Sequence, residues 1–546
     1  MNNIVLISID DLRYDCIGRY FDRRRFSRYD LRHEADTPVI DRLAAEAASF
    51  GQCIAPSSFT PPSHASMLTG LYPRRHGVHT FYDMLPGNVP TLTEILKEHG
   101  FRTWARIENS SLRLLDLTRG MEFVDDHADE GKELFDHLLS REPFAGERNF
   151  VFIHLFDCHS PYGFIKGKGN QRHVHRYVDH VKEICTRRGI DFDRIDGQSQ
   201  REARFICRDH ASQSEYIQTL TRMRGLDFAL KAELRNRGVF YDEMVSSYLR
   251  GVSLFDRIKF RAVLDSLESC GLGDDSLLIV TSDHGEARHI DLDGDIYFSN
   301  GFDLHEGHIR VPLIVRGPGI TQPREISQPV SLTDLPPTVL DLAGIAYDPT
   351  RFDGVSLGPL LTAEAPEDDH RAVYGECWAY RGGFNQFGQI GWQRKGFRRK
   401  RMVRTGRFKL VRLGNDLTVE SLAILPIRDA IERLYNDVLG RFPSICEVVV
   451  WKWLLEKGSI SVEEMFDLFT EKIARTIGKY ALIDPAHDCE DENNLFEDDA
   501  YRAVRGPLLR LLDRYDQRDG DDRAGHHLTA RQEEKVKEHL RALGYL

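Results

Sequence analysis

Residues 3–9, "NIVLISI", are apolar in near-unbroken succession and stop at Asp10 and Asp11. A run this short predicts a strand buried on both faces, as in a parallel sheet, with acids at its carboxyl end. The pattern returns at 149–157 ("NFVFIHLFD"), 275–286 ("DSLLIVTSDHGE") and 310–317 ("RVPLIVRG"), with "FRTWARI" as a further strand. Between strands the period turns helical. Val39, Ile40, Leu43, Ala44 and Ala47 share one face after Asp36-Thr37-Pro38, with Asp36 as the expected cap. "TLTEILKEHGF" is a second helix, stopped near Gly100. Strands alternating with helices predict an α/β fold, a mixed, mostly parallel sheet sandwiched by helices. Ligands of such sheets bind beyond the carboxyl ends of the strands, where Asp10, Asp11, Asp157, Asp283 and His284 fall.

Three stretches read as additions. Residues 19–35 are charged and irregular, about 165–240 are polar and partly helical, and about 415–480 are helical. In the last, a capping box joins Ser461 to Glu464, and Val462, Met465, Phe466, Phe469, Ile473 and Ile477 make one apolar face. After about residue 365, "RAVYGECWA", "KRMVRTG" and "RFKLVRLG" predict short antiparallel strands with a tight turn at "GRFK". The expected division is a catalytic domain at 1–365, carrying the 165–240 insertion, and a smaller C-terminal α+β subdomain at 366–546, carrying the 415–480 insertion.

Composition narrows the class. A formal net charge of −12 on 546 residues gives no argument for nucleic acid. Nine scattered cysteines without a CxxC pair speak against a zinc ribbon and for a reduced compartment. The N-terminus lacks a basic region and a cleavage site, and no apolar run reaches about 18 residues, so a cytoplasmic chain without a membrane span is expected. A homo-oligomer is left open. The basic run 394–409 reads more readily as a solvated face than as a wall for an anionic substrate.

Adjacent Asp10 and Asp11 can converge only where their strand has ended. Such carboxylates repel unless a cation sits between them. With Asp283 and His284 they suit a divalent ion: calcium, magnesium, manganese or zinc. "TPPSHASMLTG" (60–70) reads as a helix start with Pro in its first turn. Taken alone, Thr60 is its cap. His159, just past a strand in "HLFDCHSPY", could give a proton to a leaving group.

Together these segments resemble the sulfatase branch of the alkaline phosphatase superfamily. The most specific stretch is "TPVIDRLAAEAASFGQCIAPSSFTPPSHASMLTGLYPRRHGV", with "VLISIDDLRYDCIGRY", "FIHLFDCHSPY", "LIVTSDHGE", "IRVPLIVRGPG" and "VSLTDLPPTVLDLAGI" in the family's order. The resemblance implies metal ligands at Asp10, Asp11, Asp283 and His284. It puts Thr60 at the nucleophile position, also touching the metal, and His159 beside the transferred group. Asn109 stands where the family's Lys and His segment would be, as part of Glu108-Asn109-Ser110. His289, His305 and His308 compete for a further basic position, and His305 is preferred.

The chain departs from the family at the nucleophile. The usual C/S-x-P-S-R becomes T-P-P-S-H, and threonine cannot mature to formylglycine. His64 replaces an Arg that braces the site, which makes part of the charge stabilisation pH-dependent. A formylglycine hydrate expels sulfate by collapsing to its aldehyde, whereas a substituted threonine needs a second attack at the transferred atom. The expected function is therefore a metal-dependent hydrolase of a small anionic phospho- or sulfo-ester acting through Thr60, with phosphodiester, phosphonate or phosphate esters favoured. The alternatives are a sulfatase proper, a phospho-group transferase, or a non-catalytic scaffold.

Overall fold

A computed structural model describes the chain except residues 82, 110, 127–146, 167–170, 207–214, 291–295, 302, 321–322, 381–396, 414–426, 436–444, 475–479, 489–492, 518–525 and 528–546. The central sheet has eight strands: β1 (Asn3–Ile9), β2 (Ala48–Phe50), β3 (Phe101–Ile107), β4 (Phe123–Asp126), β5 (Arg148–Leu155), β6 (Ser276–Thr281), β7 (Leu313–Arg316) and β8 (Arg324–Ile326). Their order is β8-β2-β7-β6-β1-β5-β3-β4. β1 lies parallel to both β5 and β6, with Asn3 opposite Asn149 and Ser276. β7 runs antiparallel to β6 and β2, which makes the sheet mixed. Pro312, with no N–H to give, divides the expected 310–317 strand into Arg310–Val311 and β7.

The buried parallel strands are apolar at nearly every position because both faces are covered. Ile4 through Ile7 are fully buried. Helix α1 (Pro38–Ala45) buries Val39, Ile40, Leu43 and Ala44 against the core. Its cap is not Asp36. Asp256 accepts from the Val39 and Ile40 N–H groups at 3.0 and 2.8 Å, while Asp36 pairs with Arg257 at the surface. A carboxylate brought from over 200 residues away in the chain leaves no local signal.

The 165–240 insertion contributes three helices, Gln171–Arg188, Phe192–Ile206 and Glu215–Asn236. Beyond residue 365, strands Val373–Tyr380, Phe397–Arg404, Lys409–Leu413 and Tyr480–Ile483 form an antiparallel sheet in that order. Thr405 N donates to Phe408 O across the expected turn. Helices 427–434, 445–456 and 462–474 pack around Ile431, Leu434 and Met465, and the Ser461–Glu464 capping box is present. Of the expected apolar face, Phe469, Ile473 and Ile477 lie outside the described side chains. The basic run is only partly a solvated face: Arg407 is exposed, whereas Lys400, Arg404 and Lys409 are buried. Lys400 pairs with Asp303, Arg404 and Lys409 with Glu306, and Arg401 with Asp516.

Candidate active site

Three strand ends meet at one place. β1 stops at Ile9, and Asp11 then adopts a left-handed φ of 63°. That backbone, costly for a non-glycine residue, turns two consecutive carboxylates to one side. The turn is pinned from several directions. Tyr248 donates to the Asp11 carbonyl at 2.6 Å, and the Leu12 N–H donates to Ser282 Oγ at 3.0 Å. Beyond β6, Gly285 N–H donates to the His308 carbonyl at 2.7 Å, and a Cβ on Gly285 would stand 2.2 Å from the Gly307 oxygen. Only glycine lets the two loops approach this closely.

Helix α2 (Thr60–Thr69) is buried at all ten positions and ends at Gly70, φ 71°. Phe59, extended and giving no side-chain cap, is its N-cap, so Thr60 is the first helical residue. Thr60 is therefore not the cap that the sequence read alone suggests. Its Oγ1 lies 3.0 Å from His284 Nε2, and Ser63 Oγ fixes the helix to the other loop by donating to the Asp283 carbonyl at 2.6 Å.

The acids and imidazoles fall into two adjoining triplets, each with its ligand atoms within 4.8 Å of one another: Asp10, Asp11 and His284, and His64, His154 and Asp283. All six are fully buried. His284 Nδ1 stands 2.8 Å from Asp11 Oδ1, and its Nε2 stands 3.3 Å from Asp283 Oδ2. His154 Nε2 faces Asp10 Oδ2 at 3.2 Å. Asp10 Oδ1 and Asp283 Oδ2 have no hydrogen-bond partner. Buried oxygens left this way are costly, and a cation satisfies them, so the residues present fit the divalent ion expected at Asp10, Asp11, Asp283, His284 and Thr60.

The electrostatics agree. Burial pushes Asp283 well above the ordinary carboxylate range, and neighbouring Asp10 adds to it. Asp11 is raised in the same way. For Asp10, burial is opposed and outweighed by the His154 hydrogen bond and by His284, so its carboxyl is held below the ordinary value. Burial, helped by His154, takes His64 down to about 3 and keeps it neutral. The pH-dependent bracing expected of His64 near neutrality is thus absent. Its Nε2 meets Ser8 Oγ at 3.0 Å and its Nδ1 the Thr60 carbonyl at 2.9 Å.

His159 stacks on Phe156 with ring centroids 4.4 Å apart, and its Nε2 is 3.7 Å from Asp11 Oδ2. Its Nδ1 meets the Ser160 carbonyl at 2.9 Å, which fixes the proton there. Burial holds its pKa well below the usual value. Asp157 is not a site ligand. It accepts from Lys166 N–H at 2.7 Å and pairs with Lys259 at 3.3 Å. Asn109 is buried, and its Oδ1 accepts from Ser111 N–H and Oγ, leaving Nδ2 without a hydrogen-bond partner. Ser110 lies outside the described residues. His305 pairs with Asp303 at 3.2 Å and stands edge-on to buried His308. The His289 side chain lies outside the described ones.

The sequence reading missed three residues. His154 was signalled by a lone imidazole inside the apolar run of β5. Asn300 donates to both Asp11 oxygens at 2.9 and 3.1 Å and had no sequence signal. Buried Glu286, adjacent to the Asp283-His284-Gly285 turn, accepts from Tyr162 at 2.7 Å and is raised by burial and by Asp11.

A mixed, mostly parallel sheet thus carries buried acids at the ends of β1 and β6, with a hydroxyl-led buried helix between them. The sulfatase family model matches residues 2–345, and a model for the C-terminal part of N-sulphoglucosamine sulphohydrolase matches 296–430. The chain belongs to the sulfatase family, whose members are ester hydrolases that bind a divalent metal ion. It is 25% identical to steryl-sulfatase of Rattus norvegicus over 69% of this chain and 73% of that protein. A solved structure described as a complex with its substrate D-glucosamine-2-N,6-O-disulfate superposes with a TM-score of 0.59 at 18% identity, covering 96% of this chain and 99% of the other. Phosphonate monoester hydrolase from Silicibacter pomeroyi superposes with a TM-score of 0.55 at 18% identity, covering 96% of each chain. No helix among the described residues is long and apolar enough to cross a membrane.

Proposed function

We propose that this chain is a metal-dependent sulfuric ester hydrolase in which Thr60 takes the place of formylglycine. The observation that carries the reading is the Thr60 hydroxyl, 3.0 Å from His284 at the head of a buried helix and beside the buried carboxylates. The preference for phosphorus drawn from the sequence is reversed here, because the family and the steryl-sulfatase relative weigh toward sulfur. Phosphonate and phosphate esters stand as the second reading, favoured by the chemistry of threonine, which has no aldehyde exit. A scaffold without chemistry fits poorly with three fully buried carboxylates.

Asp10, Asp11, Asp283, His284 and Thr60 would hold the ion. When bound, it would favour the ionised hydroxyl and polarise the transferred group. Thr60 Oγ attacks sulfur in line, and the bond to the alcohol oxygen breaks as that oxygen takes a proton. Water then attacks sulfur, releasing sulfate and restoring Thr60. A neutral His159 with its proton on Nδ1 presents Nε2 as a base. It is suited to take the proton from Thr60 or from water and to return it to the leaving oxygen. Buried free thiols at Cys16, Cys53, Cys158, Cys185, Cys270 and Cys377 support a reduced, cytoplasmic setting as part of this proposal.

The test is hydrolysis of p-nitrophenyl sulfate, p-nitrophenyl phosphate and an aryl phosphonate ester by the purified chain with manganese, zinc or calcium. Sulfate turnover that needs both the metal and Thr60 is expected. Turnover of phosphorus esters alone would replace this reading with the second.

A further inference from the structure

We propose that Asp227 and Lys231, on the helix Glu215–Asn236, are positioning residues that hold His159 for proton transfer by fixing Ser160. The proposal rests on the hydrolase reading above, in which His159 carries the proton, and it gives the 165–240 insertion a part in the reaction.

Arg224, Asp227 and Lys231 stand at i, i+3 and i+7 and so share one face of the helix. All three are buried. That face meets the loop after β5, which carries His159. The Arg224 guanidinium lies 5.7 Å over the Phe156 ring, and Lys231 Nζ lies 4.9 Å over the Tyr162 ring. A row of buried charges is costlier than an apolar stripe that would cover the loop equally well, so packing alone does not account for it.

The role of the row is visible at Ser160. Its hydroxyl donates to Asp227 Oδ2 at 2.7 Å and accepts from Lys231 Nζ at 2.7 Å. Asp227 and Lys231 pair with each other at 2.8 Å, and Tyr177, from the helix Gln171–Arg188, donates to Asp227 Oδ1 at 3.2 Å. The hydroxyl is thus held on both its donor and its acceptor side. The carbonyl of the same residue accepts from His159 Nδ1 at 2.9 Å. Clamping Ser160 fixes that carbonyl, the carbonyl keeps the proton on Nδ1, and Nε2 is left as the basic nitrogen. Lys166 holds the loop from the other side, its Nζ donating to the Phe156 and His159 carbonyls at 2.5 and 2.7 Å. Phe156 sets the plane of the imidazole by stacking, and Ser160 sets which nitrogen faces the site.

Ser160→Ala is the informative variant, because Asp227 and Lys231 keep each other as partners and no buried charge is orphaned. The metal-loaded full chain is assayed on p-nitrophenyl sulfate and on phenyl sulfate, whose leaving oxygen is more basic and depends more on a delivered proton. Ser160→Ala should widen the gap in kcat/KM between the two esters about tenfold or more, and Ser160→Thr should close it again. An equal loss on both esters, or no loss, would overturn the proposal. A second readout needs no turnover: nitrogen NMR of the calcium-loaded, histidine-labelled chain, with the His159 signal identified by its absence in His159→Gln. A single Nδ1–H tautomer in the wild type and a mixture in Ser160→Ala are expected, and an unchanged single tautomer would overturn the proposal. A chain that hydrolyses no ester would remove the hydrolase reading, while the tautomer still decides whether the inserted helix positions His159.

Discussion

Lys259 allows the sharpest test of how this site is held. It lies in the π-helical turn Asp256–Phe260, which interrupts the helical run from 240 to 269 and re-aims the side chains there. Its Nζ sits 2.6 Å from Glu108 Oε1 and 3.3 Å from Asp157 Oδ2, and donates to the Lys166 carbonyl at 2.6 Å. One ammonium thus ties the ends of β3 and β5 to the far end of the loop that carries His159. Lys259→Met keeps the stem and removes the charge, leaving two buried carboxylates without their shared cation. Breaking a buried pair this way costs about 3–5 kcal/mol. At about 2 °C per kcal/mol for a large domain, Tm should fall by roughly 6–10 °C. The exposed pair Arg24–Asp22 is the control, and Arg24→Met should shift Tm by no more than about 1 °C.

The loss should also depend on pH. Burial raises the Asp157 pKa, and Lys259 works against that rise. A raised folded-state pKa gives stability that is full below the ordinary carboxylate value and is lost as pH rises through the folded value. Without Lys259 the pKa climbs further, so the deficit should shrink toward about pH 4 and widen above it. Differential scanning fluorimetry across pH reads this directly, and Glu108→Gln in the Lys259→Met background should restore part of the loss. An unchanged Tm at neutral pH would refute the electrostatic account of this loop.

Other expectations are simpler. Asp256→Ala removes the remote cap of α1 and should cost about 1–2 kcal/mol in chemical denaturation. Asn300→Leu takes two hydrogen bonds from Asp11 and should weaken metal binding about 10- to 100-fold by calorimetric titration. Gly285→Ala forces a Cβ against the Gly307 carbonyl and should destabilise by about 3 kcal/mol or yield insoluble protein. Chelation should lower Tm, and ion at about a hundred times its Kd should return about 2.7 kcal/mol of stability.

The sheet was legible because buried parallel strands are apolar without a break, and the strand ends named Asp10, Asp11, Asp283 and His284. Thr60 became legible only through the family motif, since its local context taken alone reads as a cap; the structure gives that position to Phe59. What stayed hidden was long-range. Asp256 caps α1 from another helix, Asn300 braces Asp11 from across the chain, and Lys259 serves two strands through a helical irregularity. The basic run 394–409 was misread for the same reason: the partners of Lys400, Arg404 and Arg401, namely Asp303, Glu306 and Asp516, are too distant in sequence to be read with it.

The central claim is that Thr60 carries the transferred group. The direct measurement is a rapid acid quench of metal-loaded enzyme turning over p-nitrophenyl sulfate, followed by mass spectrometry of the peptide that contains Thr60. A sulfo group on Thr60 that forms and decays with turnover, and is absent in Thr60→Ala, is the predicted result. Undiminished turnover by Thr60→Ala, with no modified peptide in either protein, would contradict it.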